Sequence, residues 1–144
     1  MKVFIAETIT TTISNAFGDL LKQLNPDIEI PSETTLKNII KSGNTKIFIA
    51  SEDDDDKKIA GTLTLVFLRT PSGSKAQIED VVVSQELRGK GIGKQLMQAA
   101  IEYTRQAGIS KIDLTSSPHR VHANNLYQNL GFKLRTTNVY RLDL

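Results

Sequence analysis

Three cations and three glycines crowd into Arg88-Gly89-Lys90-Gly91-Ile92-Gly93-Lys94. That combination suits a bulky anion. Glycine carries no Cβ, so the backbone can come close to a ligand. From Ile92 onward, apolar or small residues recur at Leu96, Ala99, Ala100, Tyr103 and Ala107, the spacing of one helix face. Gly108 stands where such a helix would stop. A helix start leaves backbone N–H groups without partners and carries a partial positive charge. A phosphate or pyrophosphate is therefore the expected guest of Arg88–Lys94.

Two familiar phosphate loops do not fit. G-x-x-x-x-G-K-[ST] requires Ser or Thr after Gly93-Lys94, where Gln95 stands, and a glycine where Arg88 stands. G-x-G-x-x-G fails because the glycines fall at 89, 91 and 93. What remains is R-x-x-G-x-G at Arg88, Gly91 and Gly93, following the β-branched run Ile78–Val83. An ordinary glycine turn ahead of a basic helix would read the same way.

Other polar residues could also do chemistry. Glu79 and Asp80 are adjacent in a strand, so they should point to opposite faces. His119, Arg120 and His122 cluster downstream. The planar fork of Arg120 suits a carboxylate or a phosphate. Two histidines three apart, with no obvious further ligand, make a poor zinc site. The acidic run SEDDDDKK from Ser51 lacks the ligand spacing of a calcium loop and reads as a solvated hairpin loop.

The elements that must position these residues follow from periodicity. Val3–Ala6 reads as a strand, Thr8–Asn25 as a helix, and Pro31-Ser32 opens a second helix with Ser32 as N-cap. Thr45–Ala50, Lys58–Arg69 and Ala76–Val83 read as strands in an antiparallel meander. The strand from Ile78, the helix from Ile92 and the strand Lys111–Thr115 form a βαβ unit with a parallel pair. A short helix around Ala123–Asn129, a stop at Gly131, and strands near Phe132–Leu134 and Val139–Leu142 complete the chain. The expected architecture is α/β: a mixed, mostly antiparallel sheet of about seven strands with helices on both faces.

The 144 residues suffice for one domain. A net charge of +2 is too small to argue for nucleic acid or a membrane, and no aromatic-basic pattern for nucleic acid stands out. Cysteine is absent, which excludes disulfides, a thiol nucleophile and thiolate metal sites. No run is long and apolar enough for a signal peptide or a bilayer span. The expectation is a soluble, cytoplasmic protein; a homodimer is compatible with it.

The stretch from Ile78 to Gly108 resembles the acetyl-CoA-binding motif of the GNAT superfamily of N-acetyltransferases. Ala123, Tyr127, Gly131 and Phe132 resemble that family's second signature, A-x-x-x-Y-x-x-x-G-F. The likeness runs from about Lys57 to the end; the first third matches in layout only. It implies the GNAT fold, with a splayed parallel strand pair at the CoA site, and acetyl transfer from acetyl-CoA to a primary amine without a metal. Backbone N–H groups from Arg88 through Gly89, Lys90, Gly91, Ile92 and Gly93 to Lys94 would hold the pyrophosphate. Val81, Val82 and Val83 would line the pantetheine arm, with Asn124 and Tyr127 as further cofactor contacts.

The resemblance also implies roles. Tyr127 would protonate the departing thiolate, uphill by only ~1.5 pKa units or roughly 2 kcal/mol, since phenols titrate near 10 and thiols near 8.5. Glu79 would act as base through a water. The family often has asparagine seven residues before the tyrosine; Arg120 stands there instead. Arg120, with His119 and Glu79, would bind the acceptor, and the guanidinium makes a free amino acid the first choice. Ile78–Ser84 and Arg88–Lys90 also resemble glucosamine-6-phosphate N-acetyltransferases, whereas Ser116–Tyr127 does not follow them well. A polyamine, which suits an arginine- and histidine-lined acceptor side less well, acetylation of protein amino groups and a non-catalytic acyl-CoA-sensing role stay open beside these two acceptors.

Overall fold

The computed structural model describes residues 1–53 and 58–144. Residues 54–57, within the acidic run read as a solvated loop, lie outside them. In chain order the elements are β1 (Lys2–Ile5), α1 (Thr11–Leu24), α2 (Glu33–Lys41), β2 (Thr45–Ser51), β3 (Ile59–Thr70), β4 (Gly73–Val83), a 3-10 turn (Gln85–Leu87), α3 (Ile92–Gln106), β5 (Ile112–Leu114) and α4 (Val121–Asn129).

Hydroxyl caps set two helix starts. Thr10 Oγ1 accepts from the Ile13 N–H at 3.2 Å, so α1 begins at Thr11 rather than Thr8. Ser32 Oγ accepts from the Thr35 N–H at 3.1 Å, the cap expected from the sequence. Each cap contributes about 1 kcal/mol. Burying a large apolar side chain contributes about 1.5–3 kcal/mol, so packing decides where the helices lie. Ile13, Phe17 and Leu21 of α1 and Leu36 of α2 cover Ile47 and Ile49 on one sheet face. Ile92, Leu96, Met97 and Ala100 of α3 cover Leu63, Leu65, Ala76 and Ile78 on the other.

The described residues form one five-stranded sheet in the order β1-β2-β3-β4-β5. The first four strands pair antiparallel, and β4 and β5 pair parallel after the crossover through α3. The sheet is smaller than the seven or so strands that the sequence pattern suggests. Phe132–Leu134 and Val139–Leu142 form none. Their apolar alternation is real, but a strand also needs a neighbour that supplies ladder bonds. Among the described residues, 133–144 make no backbone hydrogen bond to the sheet. Leu134, Tyr140 and Leu142 accordingly stay exposed.

One irregularity in β4 shapes everything around the site. Thr62 pairs with Val82, yet Thr64 pairs with Glu79. Three steps on β4 thus oppose two on β3, which is a β-bulge. Asp80 there has φ 50, a left-handed conformation rare for a residue with a side chain. Before the bulge, Ala76 and Ile78 face α3; after it, Val81 and Val83 do. Pairing with β5 stops at Ile78↔Leu114, so the next residues of β4 have no β5 neighbour. The parallel pair ends here, with the last residue of β5.

Gly61 permits the bulge. A Cβ there would lie 2.8 Å from the Val82 carbonyl oxygen and 3.3 Å from Val83 Cα. Backbone cannot yield as a flexible side chain can. Gly61→Ala should therefore cost about 1–3 kcal/mol, as overpacking does. Urea unfolding checks this; an unchanged midpoint would contradict the close strand approach.

Candidate active site

Beside the β4 bulge lies a cleft of about 550 Å³. Its walls come from the end of α1 (Leu24, Asn25), the bulge (Glu79, Asp80, Val81), the segment after β5 (Thr115, Ser116, Ser117), Arg120 and α4 (Ala123, Tyr127), and the C-terminal segment (Val139, Arg141). Strand alternation alone puts Glu79 and Asp80 on opposite faces. The extra residue breaks that alternation, and both line the cleft. Glu79 Oε1 accepts from Gln77 Nε2 at 3.2 Å and remains exposed.

Tyr127 is half-buried, with its ring edge-on to Phe132 at 6.2 Å between centroids. Burial pushes its phenol above the ordinary value, while the Arg120 charge acts in the opposite direction. A phenol so placed stays protonated at neutral pH. Ala123, four residues earlier, lines the same cleft, as helical spacing requires. Arg120 immediately precedes α4, and its Nη2 donates to the Leu24 carbonyl at 3.2 Å, tying α4 to the end of α1.

The glycine loop lies beyond the cleft, and a 3-10 turn rather than the strand itself leads into it. Gly89 and Gly91 take φ 78 and φ 77, conformations that other residues adopt at a cost. Gly91 caps α3 without a side chain. Gln95 N–H is the first to reach a helical carbonyl, that of Gly91 at 3.1 Å. The N–H groups of Ile92, Gly93 and Lys94 are thus left at the helix end without intrahelical partners. Among the described residues, no ion pair occupies Arg88, Lys90 or Lys94, and all three are exposed. A Cβ on Gly93 would lie 3.4 Å from Leu126 Cδ2 and 3.8 Å from Val83 Cγ2. The start of α3, the end of β4 and α4 therefore meet at Gly93.

Val81–Val83 connects the two features. Val81 lines the cleft, Val83 packs beside Gly93, and Val82 is buried between them. Asn124 does not line the cleft; its Nδ2 donates to the Ser117 carbonyl at 3.0 Å and braces α4 against the segment after β5. His119 is exposed and outside the cleft lining. Asn25, Ser116, Val139 and Arg141 line it although no motif points to them. Alternation puts Val139 and Arg141 on one side of the chain, but nothing in the sequence aims that side at the cleft. Among the described residues, no group of three or more His, Asp or Glu could hold a metal, and no helix is long and apolar enough to cross a membrane.

The comparisons with known proteins give this mixed sheet and basic helix start a family. Residues 14–132 match the model of the Acetyltransferase (GNAT) family. The chain belongs to that family. It is 30% identical over 111 residues to human N-acetyltransferase 8B, covering 74% of this chain and 48% of that protein. It is 26% identical over 127 residues to glucosamine 6-phosphate N-acetyltransferase 1 of Oryza sativa subsp. japonica, covering 83% of this chain and 74% of that one. A putative acetyltransferase of Agrobacterium tumefaciens shares the fold, with TM-score 0.81 and 22% identity over 99% of this chain and 100% of that one. The chain spans about half the length of human N-acetyltransferase 8B.

The electrostatics of Tyr127 are testable. Burial favours the neutral phenol, so its ionisation should lie above the usual value near 10. Removing the opposing charge with Arg120→Ala should move it higher still. Difference absorbance of phenolate, wild type against Tyr127→Phe, reads both; ionisation below 10 would contradict the placement.

Proposed function

We propose that this protein moves the acetyl group of acetyl-CoA to a primary amine of a small molecule, by direct attack in a ternary complex. The observation that carries this is the unpaired start of α3 beside a strand edge that β5 has left. The residues fit the carrier. Three N–H groups left at the helix end, two left-handed glycines and three cations without an ion pair among the described residues suit a diphosphate. Backbone groups of Val81–Val83 suit the amides of an extended pantetheine arm, which would end in the cleft beside Tyr127.

Four tasks then fall to this chain's residues. The loop holds the diphosphate. Glu79, through a water, takes the proton from the acceptor ammonium; Asp80 shares the same wall. A backbone N–H near Val82 or Val83 stabilises the oxyanion that forms when the amine attacks. Tyr127 O–H protonates the departing sulfur. Arg120, in the cleft lining, is the partner for an anionic group on the acceptor. A free amino acid is the first choice on that ground. The second is an amino-sugar phosphate, which the names of the rice relative and of a Trypanosoma brucei relative, 32% identical over 109 residues, favour.

Thiol release from acetyl-CoA, measured across a panel of amines, tests the reading. Tyr127→Phe should lower kcat by about 10²–10⁴, the usual worth of a positioned acid. Acetyl-CoA should still stabilise that variant, by about 2.7 kcal/mol at a hundredfold excess over Kd. Unchanged turnover in Tyr127→Phe would remove the acid assignment. Acetyl-CoA that stabilises neither protein would remove the cofactor.

A further inference from the structure

The cleft carries two guanidinium groups where the acceptor reading used one. Arg120 enters from the start of α4, and Arg141 enters from the segment after α4 that never joins the sheet. Neither is paired with a carboxylate among the described residues. Arg120 donates to the neutral Leu24 carbonyl, and among the described residues no hydrogen bond holds the Arg141 side chain. Arg135 of the same segment differs: it lies 4.0 Å from Asp113, which also takes Lys75 at 2.9 Å. The cleft's own carboxylates, Glu79 and Asp80, sit on the β4 bulge and pair with neither arginine.

The cleft is thus lined by two carboxylates on the β4 bulge and by two arginines on separate elements. A small ligand that satisfies both kinds of group carries an ammonium and two negative charges. We infer that Arg141 is a specificity-determining residue, and that with Arg120 it selects a primary amine bearing a dianionic group. This rests on the acetyl-transfer reading and narrows its acceptor. The dianion is either a phosphate monoester or a pair of carboxylates, both of which the planar guanidinium fork accepts well. An acceptor with one negative charge leaves one guanidinium unmatched, and an acceptor with none leaves both.

Matched pairs of amines separate the cases. Glucosamine 6-phosphate against glucosamine tests the phosphate source, and aspartate against asparagine tests the second carboxylate. In the wild type, kcat/KM should favour the dianionic member of one pair about tenfold or more, the worth of one charged hydrogen bond. Arg141→Ala should erase about tenfold of that preference, through KM rather than kcat, and Arg141→Lys should restore part of it. The pair that responds identifies the source. Arg141 is exposed, so the melting temperature of Arg141→Ala should match the wild type, which separates selectivity from folding. Equal kcat/KM within both pairs, or a preference that survives Arg141→Ala, would overturn the inference while leaving acetyl transfer intact. Thiol release that no added amine accelerates would overturn the acetyl-transfer reading, and this inference with it.

Discussion

A single extra residue in β4 governs the site. Pairing with β5 ends at Ile78↔Leu114, the last residue of β5, and the bulge follows at once, so the next residues of β4 present an edge without a β5 neighbour. The bulge requires Asp80 to hold a left-handed conformation and Gly61 to let the Val82 carbonyl come close. Such conformations cost of order 1–3 kcal/mol and persist only where the surroundings enforce them. Here the enforcement comes from both sides of the bulge. Ala76 and Ile78 are locked into the core before it, and Val82 is buried after it.

The same distortion ties the two halves of the site together. It sends Val81 and Val83 toward α3, where Val83 meets the first turn beside Gly93. The helix start, with its unpaired N–H groups, is thus fixed relative to the open edge. Glu79 and Asp80 line the same cleft as Tyr127 and Arg120. The glycine loop and the cleft, well separated in sequence, come to share one frame.

Parts of this are legible in the sequence for clear reasons. The loop shows itself because glycine and lysine spacing has a local physical meaning, and α3 because its apolar period is long. Ala123 and Tyr127 share a face because four residues make about one helical turn. The bulge is not legible: Ile78–Val83 reads as an uninterrupted strand, and one inserted residue leaves no compositional mark. Regular alternation across it is what puts Glu79 and Asp80 on opposite faces. The C-terminal segment misleads in the other way. Its alternation suits a strand, but pairing depends on a partner that a period-two pattern cannot supply. Arg141 stays hidden because its place in the cleft comes from the path of that segment, not from any motif.

The most direct measurement is a crystal structure of the protein grown with CoA. The diphosphate should lie within hydrogen-bond distance of the Ile92, Gly93 and Lys94 N–H groups, and the pantetheine arm should run along Val81–Val83 into the cleft. A carrier bound elsewhere, with the start of α3 bare, would contradict the account at its root.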